Sequence, residues 1–520
     1  MAGGSDRERH DVARLAAPVG TGLRTALLAA CAVGACLIAG GMLVLQLRYV
    51  GAVLGVVPTT PEPAAPVSVA AAVASPSAAG QVEASAGASA SATASLGAET
   101  NSNAATAPSV TVDASYASEA IALAGGDLAA GASAELRMDD RWFAGDPERY
   151  QHDLATSCAV LTAVCNAESQ YYNGTAGAEP VAEQALYALG FHDVQTDSYR
   201  LRSDVLDELG ALLTGESDVV AYTLASKTIQ VERGQAATLV FVGMRGSYGS
   251  EWASNLNPLS LLPGSDDHRG FAKAAQEAEQ ALDAYVGEIG ADPATVRVLV
   301  TGHSRGGAVA NLLAARLDER AATGSGSAAA EHIYAYTFAS PGTTRADNRS
   351  DASYDNIFNI VNESDIVPKL PLSTWGYGRY GTTVALPGAD EGGFTDLFTR
   401  MCAAFQGNTG VSFADSKEAI IPFGLFSGNV EVRAEAAERE GADAIASESA
   451  RANAARNDCA ATRAIADELA DPAELSTSDG LFGIVSQLLS FDLETAFASH
   501  LPDTYIAWMQ TTKATDLTFE

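Results

Sequence analysis

Basic residues are scarce in this chain. Its 520 residues include 31 Lys and Arg against 64 Asp and Glu, which gives a formal net charge of -33. Nucleic-acid phosphates require a basic surface, so this balance disfavours nucleic acid as a partner. The excess of acids keeps a protein soluble and says little about its fold. The length is sufficient for one large domain or for two or three smaller ones.

Cysteine is also scarce, with six residues in the whole chain. They are Cys31, Cys36, Cys158, Cys165, Cys402 and Cys459. Four of them follow the apolar run described below, and four cysteines allow three disulfide pairings. Cys158 and Cys165 share one predicted helix, where their Cα atoms would lie about 10 Å apart, beyond the usual limit of about 7 Å. Cys402 with Cys459 is the better candidate if a bridge forms. The spacing predicts no zinc site, and we expect no metal and no organic cofactor.

Charged residues are absent from residues 26–47, and this stretch is long enough to cross a bilayer as a helix. Four arginines precede the apolar run and Arg48 follows it, after which no Lys or Arg occurs before Arg137. This asymmetry predicts a signal anchor in the cell membrane, with residues 1–25 in the cytoplasm and the remainder outside. The alternative is a cleaved signal peptide and a secreted protein, although such peptides usually have a shorter apolar core.

Large apolar side chains are nearly missing from residues 59–112, which are rich in Ala, Ser, Pro and Thr. We interpret residues 48–112 as a disordered linker. Residues 113–214 are predicted to form a helical N-terminal section, and residues 215–510 the main domain. Within that domain, residues 383–490 interrupt the strand and helix alternation with helical sequence. They form either a lid over the site or a solvated appendage. Residues after Thr511 are expected to be loose.

Strand patterns alternate with helical patterns in the main domain. Strands are predicted at residues 218–224, 237–243, 296–300, 333–338 and 356–361, with helices at 271–289 and 308–317. This alternation predicts an α/β fold with a mostly parallel sheet and flanking helices.

Residues 302–306 read GHSRG, a G-x-S-x-G pattern between a predicted strand and a predicted helix. Strand, sharp turn and helix are the context of a nucleophile elbow, so Ser304 is the predicted nucleophile. Gly302 and Gly306 would allow the tight turn and the close packing of the helix against the strand. The alternative interpretation is a glycine-rich turn with a chance serine.

A serine nucleophile requires a histidine base and a carboxylate that orients it. In α/β-hydrolases the acid follows the serine in the chain and the histidine comes last. Only His332 and His500 follow Ser304, and His332 leaves no room for an acid before it. His500 is therefore the predicted base. Asp365 and Glu363, just after a predicted strand, are both candidates for the acid.

Acyl transfer also requires donors for the oxyanion that develops on the carbonyl oxygen. The N–H of the residue after the nucleophile, Arg305, is one expected donor. Ser247, in a glycine-rich loop after the strand at 237–243, is a weaker candidate for the other.

Four segments together resemble the class 3 lipase family of the α/β-hydrolase fold, the group that contains the fungal triacylglycerol lipases. They are FVGMRGS followed by EW at 241–252, GHSRGGA at 302–308, YTFASP at 336–341 and DIVPKLP at 365–371. The resemblance covers about residues 215–510. It favours Asp365 over Glu363 as the acid, and His500 matches the late catalytic histidine of the family in order and position.

Two departures from the family pattern concern the site. Arg305 replaces the usual leucine and places a cation beside the nucleophile, which could favour an anionic substrate or pair with an acid. Extra residues before the RGS sequence leave the register of Ser247 open.

The resemblance implies a serine hydrolase that cleaves carboxylic esters, with lipid esters as the expected substrate. The apolar run at residues 26–47 predicts that this hydrolase is anchored in the membrane and lies outside the cytoplasm. The same machinery could serve an acyltransferase, a thioesterase or a peptidase. A second hypothesis is an inactive surface module that binds a partner, because fold does not fix function. No particular protein partner is indicated.

Overall fold

The computed structural model describes residues 109–124, 131–172, 174, 177–197, 221–232, 235–246, 266–365, 367–369, 376–389, 391–413 and 498–520. The predicted anchor, nearly all of the predicted linker, Ser247 and most of the predicted insertion lie outside these ranges. Within them, no helix has both the length and the apolarity that a membrane span requires. All described residues belong to one compact unit.

The described ranges contain seven α-helices and ten strands. The helices are α1 Glu119–Leu123, α2 His152–Tyr172, α3 Val181–Ala188, α4 Arg269–Glu288, α5 Arg305–Ala322, α6 Phe394–Thr409 and α7 Pro502–Thr511. The strands are β1 Ser109–Ala117, β2 Gly131–Asp139, β3 His192–Asp197, β4 Tyr222–Glu232, β5 Gln235–Met244, β6 Val296–His303, β7 Ile333–Phe338, β8 Ile357–Val361, β9 Thr382–Ala385 and β10 Thr518–Phe519.

Eight strands form one mixed sheet in the order β10-β9-β8-β7-β6-β5-β4-β3. The five strands β5 to β9 are parallel, as predicted. Both edges are antiparallel, because β4 and β3 lie beside β5 and β10 lies beside β9. The prediction of an α/β fold is confirmed. The antiparallel edges make the sheet mixed, where the sequence predicted a mostly parallel one.

Both faces of the sheet are buried, and each strand contributes alternate side chains to two cores. In β5, Leu239 and Phe241 join the core shared with α2, α6 and α7, whereas Val240 and Val242 join the core shared with α4 and α5. Burial on both faces explains why the sequences of these strands are continuous apolar runs rather than alternating apolar and polar residues.

The region 113–214 is not purely helical, contrary to the prediction. β1 and β2 form an antiparallel hairpin whose pairing runs from Ser109 opposite Asp139 to Ala117 opposite Gly131, so residues 109–112 of the predicted linker lie in a strand. Every second residue of β2 is buried. Two of those inward residues are Ala132 and Ala134, and alanine has little intrinsic strand preference, which hid the strand from sequence analysis.

The region after residue 382 also differs from its prediction. β9 pairs with β8 inside the main sheet, so the start of the insertion predicted at residue 383 falls within a strand. Helix α6 buries Phe398, Met401 and Phe405 in the core. The tail after Thr511 is not loose, because β10 pairs with β9 and closes that edge.

Candidate active site

The turn between β6 and α5 carries Ser304 in a strained backbone conformation, with φ 57° and ψ -125°. Non-glycine residues rarely adopt a positive φ, and such strain is concentrated at functional positions. A Cβ atom on Gly302 would meet the carbonyl of Gly306, and one on Gly306 would meet the carbonyl of Met244. Only glycine therefore fits at these two positions, because strand and helix approach each other backbone to backbone.

Ser304, His500 and Asp365 lie within hydrogen-bond distance of one another in series. Ser304 Oγ is 2.9 Å from His500 Nε2, and His500 Nδ1 is 2.8 Å from Asp365 Oδ2. A carboxylate beside Nδ1 favours the tautomer with the proton on Nδ1, which leaves Nε2 free to accept the serine proton. This arrangement can activate a serine hydroxyl for attack on a carbonyl carbon.

The carboxylate of Asp365 is fully buried and is held from several sides. Tyr505 donates its hydroxyl proton to Oδ2 over 2.8 Å, and the N–H of Val367 donates to Oδ1 over 2.9 Å. Burial, together with the neighbouring Asp365 charge, raises the pKa of Tyr505 well above its usual value, so the phenol remains a neutral donor. The other candidate acid, Glu363, is directed instead towards Gly388, where its carboxylate fills the space that a Cβ would need.

His303 is a member of the site that the sequence analysis did not assign. Its Nε2 lies 2.8 Å from the carbonyl oxygen of His500, and the two imidazole rings are 4.9 Å apart. Burial, followed by proximity to His500, lowers the pKa of His303 well below its usual value. The neutral ring therefore donates its Nε2–H to that carbonyl. Its position directly before Ser304 was the only signal in the sequence.

Only one of the two expected oxyanion donors, the N–H of Arg305, lies in the described part of the chain. Arg305 is the first residue of α5, where the first N–H groups of a helix have no carbonyl partner within the helix and carry partial positive charge. Arg305 is buried, with 8% of the residue surface exposed. Ser247 lies outside the described residues, which reach Gly246 on that side. In the parts of the chain that the structure describes, no group of three or more His, Cys, Asp or Glu side chains is arranged to hold a metal ion.

Known proteins resemble this chain in the region that contains Ser304 and Asp365. Residues 241–375 match the family model described as Lipase (class 3). A lipase from Rhizomucor miehei is 31% identical over 212 residues, which cover 38% of this chain and 55% of that protein. The secreted mono- and diacylglycerol lipase A of Penicillium cyclopium is 31% identical over 172 residues, covering 30% of this chain and 53% of that protein. The chain therefore spans about half the length of these relatives.

Among solved structures, the native Rhizomucor miehei lipase propeptide complex is similar at 21% identity and a TM-score of 0.29. The match covers 44% of this chain and 67% of that one. The family model includes Ser304 and Asp365 but ends before His500.

Proposed function

We propose that this chain hydrolyses carboxylic esters of lipids by means of a Ser304–His500–Asp365 triad, because its residues 241–375 match the family model described as Lipase (class 3). The observation that carries the proposal is the unbroken series of contacts from Ser304 Oγ through His500 to Asp365. His500 is brought to Ser304 across 196 residues of sequence, which a chance glycine-rich turn would not explain.

The reaction follows from this geometry. Ser304 Oγ attacks the carbonyl carbon while His500 Nε2 takes its proton, and the carbonyl oxygen becomes an oxyanion next to the N–H of Arg305. Ser247 remains the expected second donor. The protonated His500, held by Asp365, then gives the proton to the leaving alcohol, and an acyl-enzyme is formed. Water activated by His500 releases the acid and restores the serine.

The substrate class and the location are part of the proposal. The two relatives are a lipase and a secreted mono- and diacylglycerol lipase, which supports acyl esters of glycerol as substrates. A secreted relative also supports action outside the cytoplasm. We propose that residues 26–47 export the domain and hold it at the membrane, with release after cleavage as the alternative outcome.

Replacing Ser304 by alanine tests the function. Ser304→Ala should lower the hydrolysis of a short p-nitrophenyl ester by about 10⁴-fold or more, because no other group supplies the nucleophile. A fluorophosphonate probe should label the wild-type protein and leave the variant unlabelled. The exposed Ser325, changed to alanine, is the matched control and should retain full activity.

The thermal melting temperature of Ser304→Ala should equal that of the wild type, because the change removes one hydroxyl from a turn fixed by backbone contacts. Undiminished turnover by a correctly folded Ser304→Ala protein would refute the proposal. A panel of glycerol esters of graded chain length then measures the acyl preference.

A further inference from the structure

Helix α2 lies outside the family match and packs closely against β5. Cys165 of this helix is buried, and a Cβ on Gly243 would lie 2.6 Å from its Sγ atom. The helix thus approaches the strand to a distance that only glycine allows. β5 ends at Met244 and leads directly into residues 245 and 246, so α2 is also adjacent to the end of this strand.

Two polar side chains of α2 bond to the two residues that follow β5, one to backbone and one to a side chain. The N–H of Gly246 donates a 2.8 Å hydrogen bond to Asn166 Oδ1, and Arg245 Nη1 donates over 2.8 Å to Ser169 Oγ. Asn166 and Ser169 are three residues apart and therefore lie on the same face of the helix. Both are buried.

The segment held in this way is in contact with the nucleophile turn. A Cβ on Gly246 would lie 2.6 Å from the carbonyl oxygen of His303, the residue before Ser304. A Cβ on Gly306 would lie 2.7 Å from the carbonyl carbon of Arg245. The two segments that should supply the oxyanion donors therefore meet through glycines, without side chains between them.

We propose that Asn166 is a positioning residue for the oxyanion side of the site, with Ser169 as a second anchor. This inference rests on the proposed function. Fixing the Gly246 N–H fixes the peptide that bears it and the direction in which the chain leaves β5. Oxyanion donors act only at hydrogen-bond distance from the developing charge, so small displacements of this backbone lower the rate. Binding of the ground-state ester depends much less on them.

Exchanging Asn166 for leucine removes the acceptor while keeping a similar volume. Active sites are counted by fluorophosphonate titration so that kcat is given per active site. Asn166→Leu should lower this kcat about 10- to 100-fold, with KM within about twofold of the wild-type value. Asn166→Asp retains the oxygen acceptor and should recover kcat to within about threefold. Ser157→Ala is the matched control and should leave kcat unchanged, because within the described part of the chain this buried hydroxyl of α2 bonds to its own helix, at the Asp153 carbonyl.

The outcomes separate the two proposals. If the wild type neither labels nor turns over, the hydrolase function fails. If the wild type is active and Asn166→Leu keeps its kcat per titrated site, or if Asn166→Asp falls as far as Asn166→Leu, the positioning role is wrong. Should Asn166→Leu fail to fold, Ser169→Ala decides the question. It removes only the Arg245 anchor and should lower kcat about threefold, and an unchanged value would overturn the proposal.

Discussion

Tyr505 shows how a single residue outside the triad stabilises the acid. Its hydroxyl donates to Asp365 Oδ2 and accepts the N–H of Asn362 over 3.1 Å, so it joins the catalytic carboxylate to the end of β8. A carboxylate held by several hydrogen-bond donors is fixed in orientation. Tyr505 therefore holds Asp365 in the position from which it orients His500.

Removal of the Tyr505 hydroxyl should reduce catalysis. We expect Tyr505→Phe to lower kcat about 10-fold, equivalent to about 1.4 kcal/mol, because a hydrogen bond to a charged group typically contributes about 1.5–3 kcal/mol. Tyr336→Phe is the control, since that buried hydroxyl accepts from the Gln151 N–H and does not touch the triad. Steady-state kinetics on titrated enzyme check the result, and equal effects of the two variants would contradict it.

Helices α2 and α3 meet at a buried carboxyl group. Glu168 of α2 is fully buried, and its Oε2 accepts the N–H of Ala182 in the first turn of α3 over 2.8 Å. Burial raises the pKa of Glu168 to about 7. The folded protein therefore keeps this proton up to about pH 7, whereas the unfolded chain loses it near pH 4.5. The stability of this helix pair consequently depends on pH.

The free energy of unfolding should decrease as pH rises from about 4.5 to about 7, because the folded state then holds more protons than the unfolded state. Glu168→Gln cannot ionise and should be more stable than wild type at pH 8, by up to about 3 kcal/mol, with little difference at pH 4.5. Urea unfolding at both values measures this. Glu148→Gln, at an exposed position, controls for net charge. If Glu168→Gln is more stable than the wild type by the same amount at both pH values, ionisation of Glu168 is not the cause of the pH dependence.

Across the whole molecule, the two ends of the described chain are joined. Asp503, in the first turn of α7 just after His500, is fully buried and accepts hydrogen bonds from Tyr116 and Ser118. Phe519 of β10 packs edge-on against Tyr150, with ring centroids 5.1 Å apart. The hairpin region at the start of the domain therefore supports the helix that follows His500.

Loss of both donors to Asp503 should destabilise the entire domain. The double variant Tyr116→Phe with Ser118→Ala should lower the free energy of unfolding by about 2 kcal/mol, because a buried carboxyl group loses two partners. Ser115→Ala, at an exposed position of β1, should have almost no effect. Chemical denaturation checks the difference, and the prediction fails if the double variant is as stable as the wild type.

Local patterns in the sequence were sufficient to predict the α/β fold, the strand–turn–helix elbow at Ser304 and the candidates for the triad. Apolar runs of strand length, a helical period and two glycines around Ser304 are short-range requirements, and the order of Ser304, Asp365 and His500 in the chain left few alternatives. The family resemblance, which the comparisons confirm, favoured Asp365 over Glu363 as the candidate acid.

Other features were decided only by the tertiary structure. The β1–β2 hairpin, the short strands β9 and β10, and the contacts of Tyr505, His303 and Asn166 depend on which distant segments pack together. Alanine-rich or very short strands have little intrinsic preference, so neighbouring strands determine their conformation. A polar side chain acquires its partner only after burial has removed water from around it. The sequence thus determined the fold class and the candidates for the reacting groups, and long-range packing determined what holds them in place.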